Sequence, residues 1–129
     1  MRKWRRTLVL VVGVAAAVPV VLTATRAEAQ KADVQAGKAK YAQFCASCHG
    51  ATGKGDGPAA AALNPKPRDL TNAQYMSKVK DEDIFKIIKK GGQAVGKSPL
   101  MPPWGGPLSD QDISNITAYI RAISKTGGK

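Results

Sequence analysis

The 129 residues carry 20 Lys and Arg against 9 Asp and Glu, a formal net charge of +11, with 2 cysteines and 1 histidine. That length supports one small domain, and the Cys and His side chains together fall short of the four that a structural zinc site uses. No basic helix or aromatic-interleaved patch accompanies the charge, so the partner it implies is an acidic protein or an anionic membrane surface rather than nucleic acid.

Residues 1–29 read as a cleaved secretory signal peptide. Arg2, Lys3, Arg5 and Arg6 form a basic start, residues 8–22 an apolar run, and Ala27-Glu28-Ala29 the small-x-small pattern ahead of Gln30. The run is shorter than the ~18 apolar residues of a spanning helix, and Pro19 interrupts it. Retention as an uncleaved membrane anchor is the alternative. The expected location is the periplasm, with a single domain over residues 30–129. Five of the 20 basic residues and one of the 9 acids lie in the leader, which leaves the remainder at +7.

Residues 32–44 are predicted to form a helix, with Asp33 as its cap and Val34, Gly37, Tyr41 and Phe44 on one face. It runs into Cys45-Ala46-Ser47-Cys48-His49, and Cys-x-x-Cys-His reads as a c-type haem attachment site. Two thiols one helical turn apart can each add to one vinyl group of the same porphyrin, and the adjacent imidazole can then ligate the iron. A thioredoxin-like pair needs a βαβ pattern, which is missing. A disulfide here would close a loop of two intervening residues and constrain the unfolded chain little. His49 is the sole histidine, so two imidazole ligands from this chain are excluded.

Residues 50–58 are a glycine-rich loop that lacks the Gly-Lys-Ser/Thr ending of a phosphate loop. A short helical turn is expected over 58–63, and two prolines hold 64–70 extended. Residues 81–90 are predicted as a second helix. Acids open it, lysines close it and Gly91-Gly92 stop it, with Ile84, Phe85, Ile87 and Ile88 as its buried face. A proline-rich loop over 93–108 leads to a last helix from Ser109, with Asp112 as capping partner and Ile113, Ile116, Ile120 and Ile123 as its stripe. No segment alternates with period two. The fold class is therefore all-α: about three main helices joined by short turns and long loops.

Iron held by one imidazole needs a second ligand or a vacancy, and a methionine thioether is a common partner to histidine. Met76, just before the middle helix, reads as a gap-filling core residue. Met101 lies in the proline-braced stretch Pro99-Leu100-Met101-Pro102-Pro103-Trp104, remote in sequence from His49, and is the candidate ligand. Lysine ligation and an open site are the other readings of these residues.

Several features together carry a resemblance: Gly37-x-x-x-Tyr41 ahead of the Cys-x-x-Cys-His motif, Pro67-Arg68-Asp69-Leu70, the Gly91-Gly92 stop, Met101-Pro102, and Tyr119 in the last helix. Over residues 32–124 the chain resembles a small bacterial monohaem class I (mitochondrial-like) cytochrome c. The resemblance implies that the first and last helices cross, with Gly37 and Tyr41 meeting Tyr119. It implies that a proline carbonyl, Pro67 by position, holds the proximal imidazole N–H. This chain departs from the usual Gly-Pro-Asn-Leu by one extra residue and by its neighbours.

The implied function is an exported, monomeric, non-enzymatic carrier of single electrons. It would hold one haem c through Cys45 and Cys48, with His49 and Met101 as axial ligands. Lys54, Lys66 and Lys97 are candidates to steer acidic redox partners, and Arg68 or Trp104 to contact a haem propionate. Two other classes stand beside this one: the haem-bearing subunit of a larger dehydrogenase or oxidase, and a ligand-binding or peroxidase-like protein with an open sixth site.

Overall fold

The computed structural model describes residues 31–127, and the proposed signal peptide lies outside them. The architecture is organised by two crossing helices. Helix α1 (Val34–Phe44) is capped by the Asp33 carboxylate, which accepts from the N–H groups of Gln35 and Ala36 at 2.7 and 3.1 Å. The 17-residue C-terminal helix (Asp110–Thr126) opens on a capping box. There the Ser109 hydroxyl accepts from the Asp112 N–H, and the Asp112 carboxylate accepts from the Ser109 N–H.

The two helices meet at Gly37, where a Cβ would stand 1.9 Å from the Asn115 carbonyl oxygen. One turn on, the rings of Tyr41 and Tyr119 pack at 5.1 Å between centroids, tilted by 57°. The expected crossing is present: Gly37 faces the backbone of Asn115 and Ile116, and Tyr41 meets Tyr119. The Asn115 side chain also accepts from the Asp33 N–H at 2.8 Å, tying the start of α1 to the last helix. Val34, expected on the buried face, is 38% exposed. The close approach begins at Gly37, and the turn before it faces solvent.

The other described elements lie between these helices in sequence. A four-residue helix, α2 (Ala46–His49), continues directly from α1, and a single 3-10 turn (Ala60–Ala62) falls in the segment expected to turn. Helix α3 (Ala73–Met76) was not legible in the sequence. Four residues are too few to show a period, although Asn72 caps it by accepting from the Tyr75 N–H at 2.9 Å. Helix α4 (Asp81–Lys90) has the predicted bounds, with Ile84 and Ile88 buried, Phe85 and Ile87 half-buried, and three acids in its first turn. After a 3-10 turn (Gln93–Val95) and the proline-rich loop, Asp110–Thr126 completes the chain as α5. Among the described residues there is no strand, and no helix is long and apolar enough to cross a membrane.

One side chain joins three of these elements. Arg121 of α5 donates from Nη1 to the Met76 carbonyl at 2.7 Å, from Nη2 to the Val79 carbonyl, and from Nε to the Asp81 carboxylate. Its side chain is 19% exposed, whereas that of Asp81 is 66% exposed. The Met76 carbonyl also accepts from the Val79 N–H at 3.2 Å. Both carbonyl bonds of Arg121 are nevertheless part-buried while its ion pair is exposed, so the value of Arg121 lies in those bonds more than in the ion pair. Arg121→Ala is expected to lower the unfolding free energy by roughly 2 kcal/mol, and Asp81→Ala by less than about 1 kcal/mol. Denaturant titration of both variants checks this, and equal losses would contradict it.

Candidate haem-binding site

Cys45 sits at the joint between α1 and α2. Its N–H closes the last turn of α1 on the Tyr41 carbonyl, and its own carbonyl accepts from the His49 N–H, both at 2.9 Å. This hands the chain from one helix to the next without a loop, so Cys45, Cys48 and His49 all line one cavity. The glycine loop that follows folds back over the motif. Gly55, Gly57 and Ala59 donate to the carbonyls of His49, Cys48 and Ser47 at 2.8, 3.2 and 2.9 Å. The loop therefore caps carbonyls that a four-residue helix cannot satisfy itself.

Neither cysteine is in a disulfide. Burial, and then the neighbouring Cys48, push the Cys45 thiol up to about 12, so it is present as the neutral thiol near neutrality. The His49 imidazole is held below its ordinary value by burial, with a hydrogen bond to the Arg68 carbonyl pulling the other way. That bond is 3.1 Å long from Nδ1. A carbonyl only accepts, so the proton resides on Nδ1 and the free lone pair on Nε2, the arrangement an iron-ligating histidine needs.

The carbonyl that performs this task belongs to Arg68, one residue beyond the expected Pro67. The Pro67 carbonyl is instead turned toward Gly55, where a Cβ would lie 2.4 Å from it. Pro67 still lines the cavity.

The cavity encloses about 400 Å³, within the range of small-molecule pockets. All seven residues singled out from the sequence line it: Cys45, Cys48, His49, Pro67, Arg68, Met101 and Trp104. Trp104 packs edge-on against Phe44 at 5.5 Å. The Arg68 guanidinium lies 4.2 Å over the ring of Tyr75, whose hydroxyl is 3.5 Å from the Lys97 ammonium. Lys66 and Lys97 line the cavity, and Lys54 does not. Lys54 stands near Asp69, whose carboxyl is held below its ordinary range chiefly by the Thr71 hydroxyl and less by Lys54.

Met76 lines the cavity too, but as part of the core, at 2% exposure beside Ile84 and Ile88. Met101 is half-buried and lies outside that core cluster. Sequence reasoning missed Tyr75, Val79 and Leu63 as cavity residues. They come from short segments with no periodicity, and only the Asn72 cap offered a signal for the first of them. Two thiols, a neutral imidazole, two thioethers and a mostly apolar wall suit a haem group in this cavity.

The comparisons with known proteins agree. Residues 32–120 match the family described as "Cytochrome C oxidase, cbb3-type, subunit III". Cytochrome c-554(547) of Halothiobacillus neapolitanus is 35% identical over 94 residues, which are 70% of this chain and 97% of that protein. The cbb3-type cytochrome c oxidase subunit FixPc of Rhizobium leguminosarum bv. viciae is 32% identical, but the match covers only 27% of its length and 69% of this chain. Among solved structures, cytochrome c6 of the diatom Phaeodactylum tricornutum superposes with a TM-score of 0.55 at 28% identity, covering 74% of this chain and 98% of that one. The chain belongs to the class I cytochrome c family. Membership implies a haem c cofactor and a role in haem-based electron transfer.

Proposed function

We propose that this protein is an exported carrier of single electrons with one haem c, attached through Cys45 and Cys48 and ligated by His49 and Met101. The observation that carries the reading is the convergence on one cavity of two unpaired thiols, a neutral imidazole with its Nδ1 proton tied to Arg68, and Met101. Haem c supplies a one-electron ferrous–ferric couple. The rest is the work of the chain. Cys45 and Cys48, one turn apart, would hold the group by two thioethers, each formed by adding a thiol S–H across one vinyl group, so that it could not dissociate from so small a core. The Arg68 carbonyl fixes the His49 ring and tautomer. Met101 would supply the second iron ligand beside His49, and iron held by both would leave no place for a substrate, which suits a carrier rather than a catalyst.

Met101 is favoured over Met76 because Met76 is committed to the core and its carbonyl is held by Arg121. Arg68 and Trp104 stand at the cavity as candidate propionate contacts. Lys66 and Lys97 give its rim a positive charge suited to an acidic redox partner in a brief encounter. On this reading the apolar leader serves as an export signal and the mature chain works in the periplasm, where a freely diffusing carrier would act as a monomer.

The match to FixPc supports a second reading, in which a domain of this kind serves as the haem-bearing part of an oxidase. Co-purification with a catalytic subunit would favour that reading. The attachment is tested by intact mass after denaturation of the exported protein. One haem's mass should remain on the wild-type chain and be absent from Cys45→Ala/Cys48→Ala. Release of haem from the wild type under acid and organic solvent would contradict it.

A further inference from the structure

The end of helix α4 and the loop carrying Met101 share a set of backbone hydrogen bonds that has no counterpart in the sequence reading. The Gly92 N–H donates to the Met101 carbonyl at 2.9 Å, and the Gly92 carbonyl accepts from the Lys97 N–H at 2.8 Å. Further along, the Trp104 and Gly105 N–H groups donate to the Ile88 and Lys89 carbonyls at 2.9 and 3.0 Å. The last carbonyls of a helix have no partner within it. Here the Met101 loop supplies the partners, so the loop and the helix end are one hydrogen-bonded unit.

Gly92 makes that contact possible, and its backbone conformation is not the reason a glycine is there. Its φ of −65° and ψ of −40° are ordinary helical values that any residue adopts. What excludes a side chain is space. A Cβ at Gly92 would lie 2.1 Å from the Ser98 carbonyl oxygen and 3.2 Å from the Met101 Cβ. The first of these is backbone and cannot rotate away. Gly106, in the same stretch, would have nothing within 4 Å of its Cβ.

We infer that Gly92 is a positioning residue for the axial methionine: its missing side chain lets residues 98–101 seat on the end of α4, and that seat fixes where Met101 is presented to the cavity. The inference rests on Met101 being the ligand. If it holds, seating and ligation are coupled, and whatever unseats the loop loosens the thioether.

Gly92→Ala separates this from a general packing defect, because alanine suits the local backbone and only the loop has to move. The holoprotein of Gly92→Ala should keep its covalent haem, weaken the near-infrared thioether–iron band of the ferric state, and bind added imidazole about ten-fold more tightly, about 1.4 kcal/mol. Gly106→Ala should match the wild type in all three. A Gly92→Ala protein with the wild-type band and imidazole affinity overturns the inference.

Amide hydrogen exchange on the wild-type holoprotein gives a second test that survives poor folding of the variant. Saturating imidazole should release the Gly92, Trp104 and Gly105 amides together while α1 and α5 stay protected. Unchanged protection at those three amides overturns the coupling. Absence of the thioether band from the wild type, or its survival in Met101→Ala, overturns the ligand assignment instead, so the two failures are distinguishable.

Discussion

Met101→Ala is expected to lose the near-infrared thioether–iron band of the ferric protein while haem remains covalently attached. Its reduction potential should fall by on the order of 0.1 V, a modest part of the ~0.8 V that axial ligand choice spans. Both changes follow from exchanging a soft thioether, which favours ferrous iron, for water or a nitrogen ligand. Met76→Ala should behave in the opposite sense. Met76 is 2% exposed among core aliphatics, so its truncation leaves a cavity worth roughly 3 kcal/mol of stability and spares the band. Redox titration and denaturant melts of the two variants separate a ligand from a core residue. The band surviving in Met101→Ala would count against the assignment.

Gly37→Ala should produce the largest loss of stability among substitutions at the α1–α5 crossing. In an isolated helix alanine is the better residue by about 1 kcal/mol, so propensity alone predicts a gain. The crossing reverses the sign. The added methyl would sit 1.9 Å from the Asn115 carbonyl oxygen and 2.4 Å from its carbon. Neither can move without shifting α5, and with it the Tyr41–Tyr119 contact. Overpacking of this kind costs about 3 kcal/mol, which outweighs the propensity term, and Gly37→Val should be worse. Because Tyr41 and Ile120 line the haem cavity from these two helices, haem incorporation during export should fall as well. A denaturation midpoint that is unchanged or raised in Gly37→Ala would show that the helices do not cross at this point.

How much was legible in advance depended on how far each feature is written in local sequence. The bounds of α4 follow from acids at one end, lysines at the other and a glycine stop, all signals in the contiguous stretch 81–92. The caps of α1 and α5 were equally local. Cys45, Cys48 and His49 come from one contiguous Cys-x-x-Cys-His motif.

What sequence could not give were contacts fixed by long-range geometry. The carbonyl facing His49 belongs to Arg68 rather than Pro67, because the Pro67 peptide is turned toward Gly55 of the glycine loop. Arg121 reads as one more charged position on an amphipathic helix, yet it holds the carbonyls of Met76 and Val79 more than 40 residues away. Gly91-Gly92 reads as a helix stop, whereas Gly92 is also the surface on which the Met101 loop lies. Val34 matches the helical period of the buried face but falls in the turn before the close approach at Gly37 and is 38% exposed.

Near-infrared magnetic circular dichroism of the wild-type ferric holoprotein reads the proposed histidine–methionine ligand pair directly. A low-spin spectrum with the histidine–thioether band is the predicted result. A high-spin spectrum, or a low-spin one with the band of a histidine–amine pair, would contradict it.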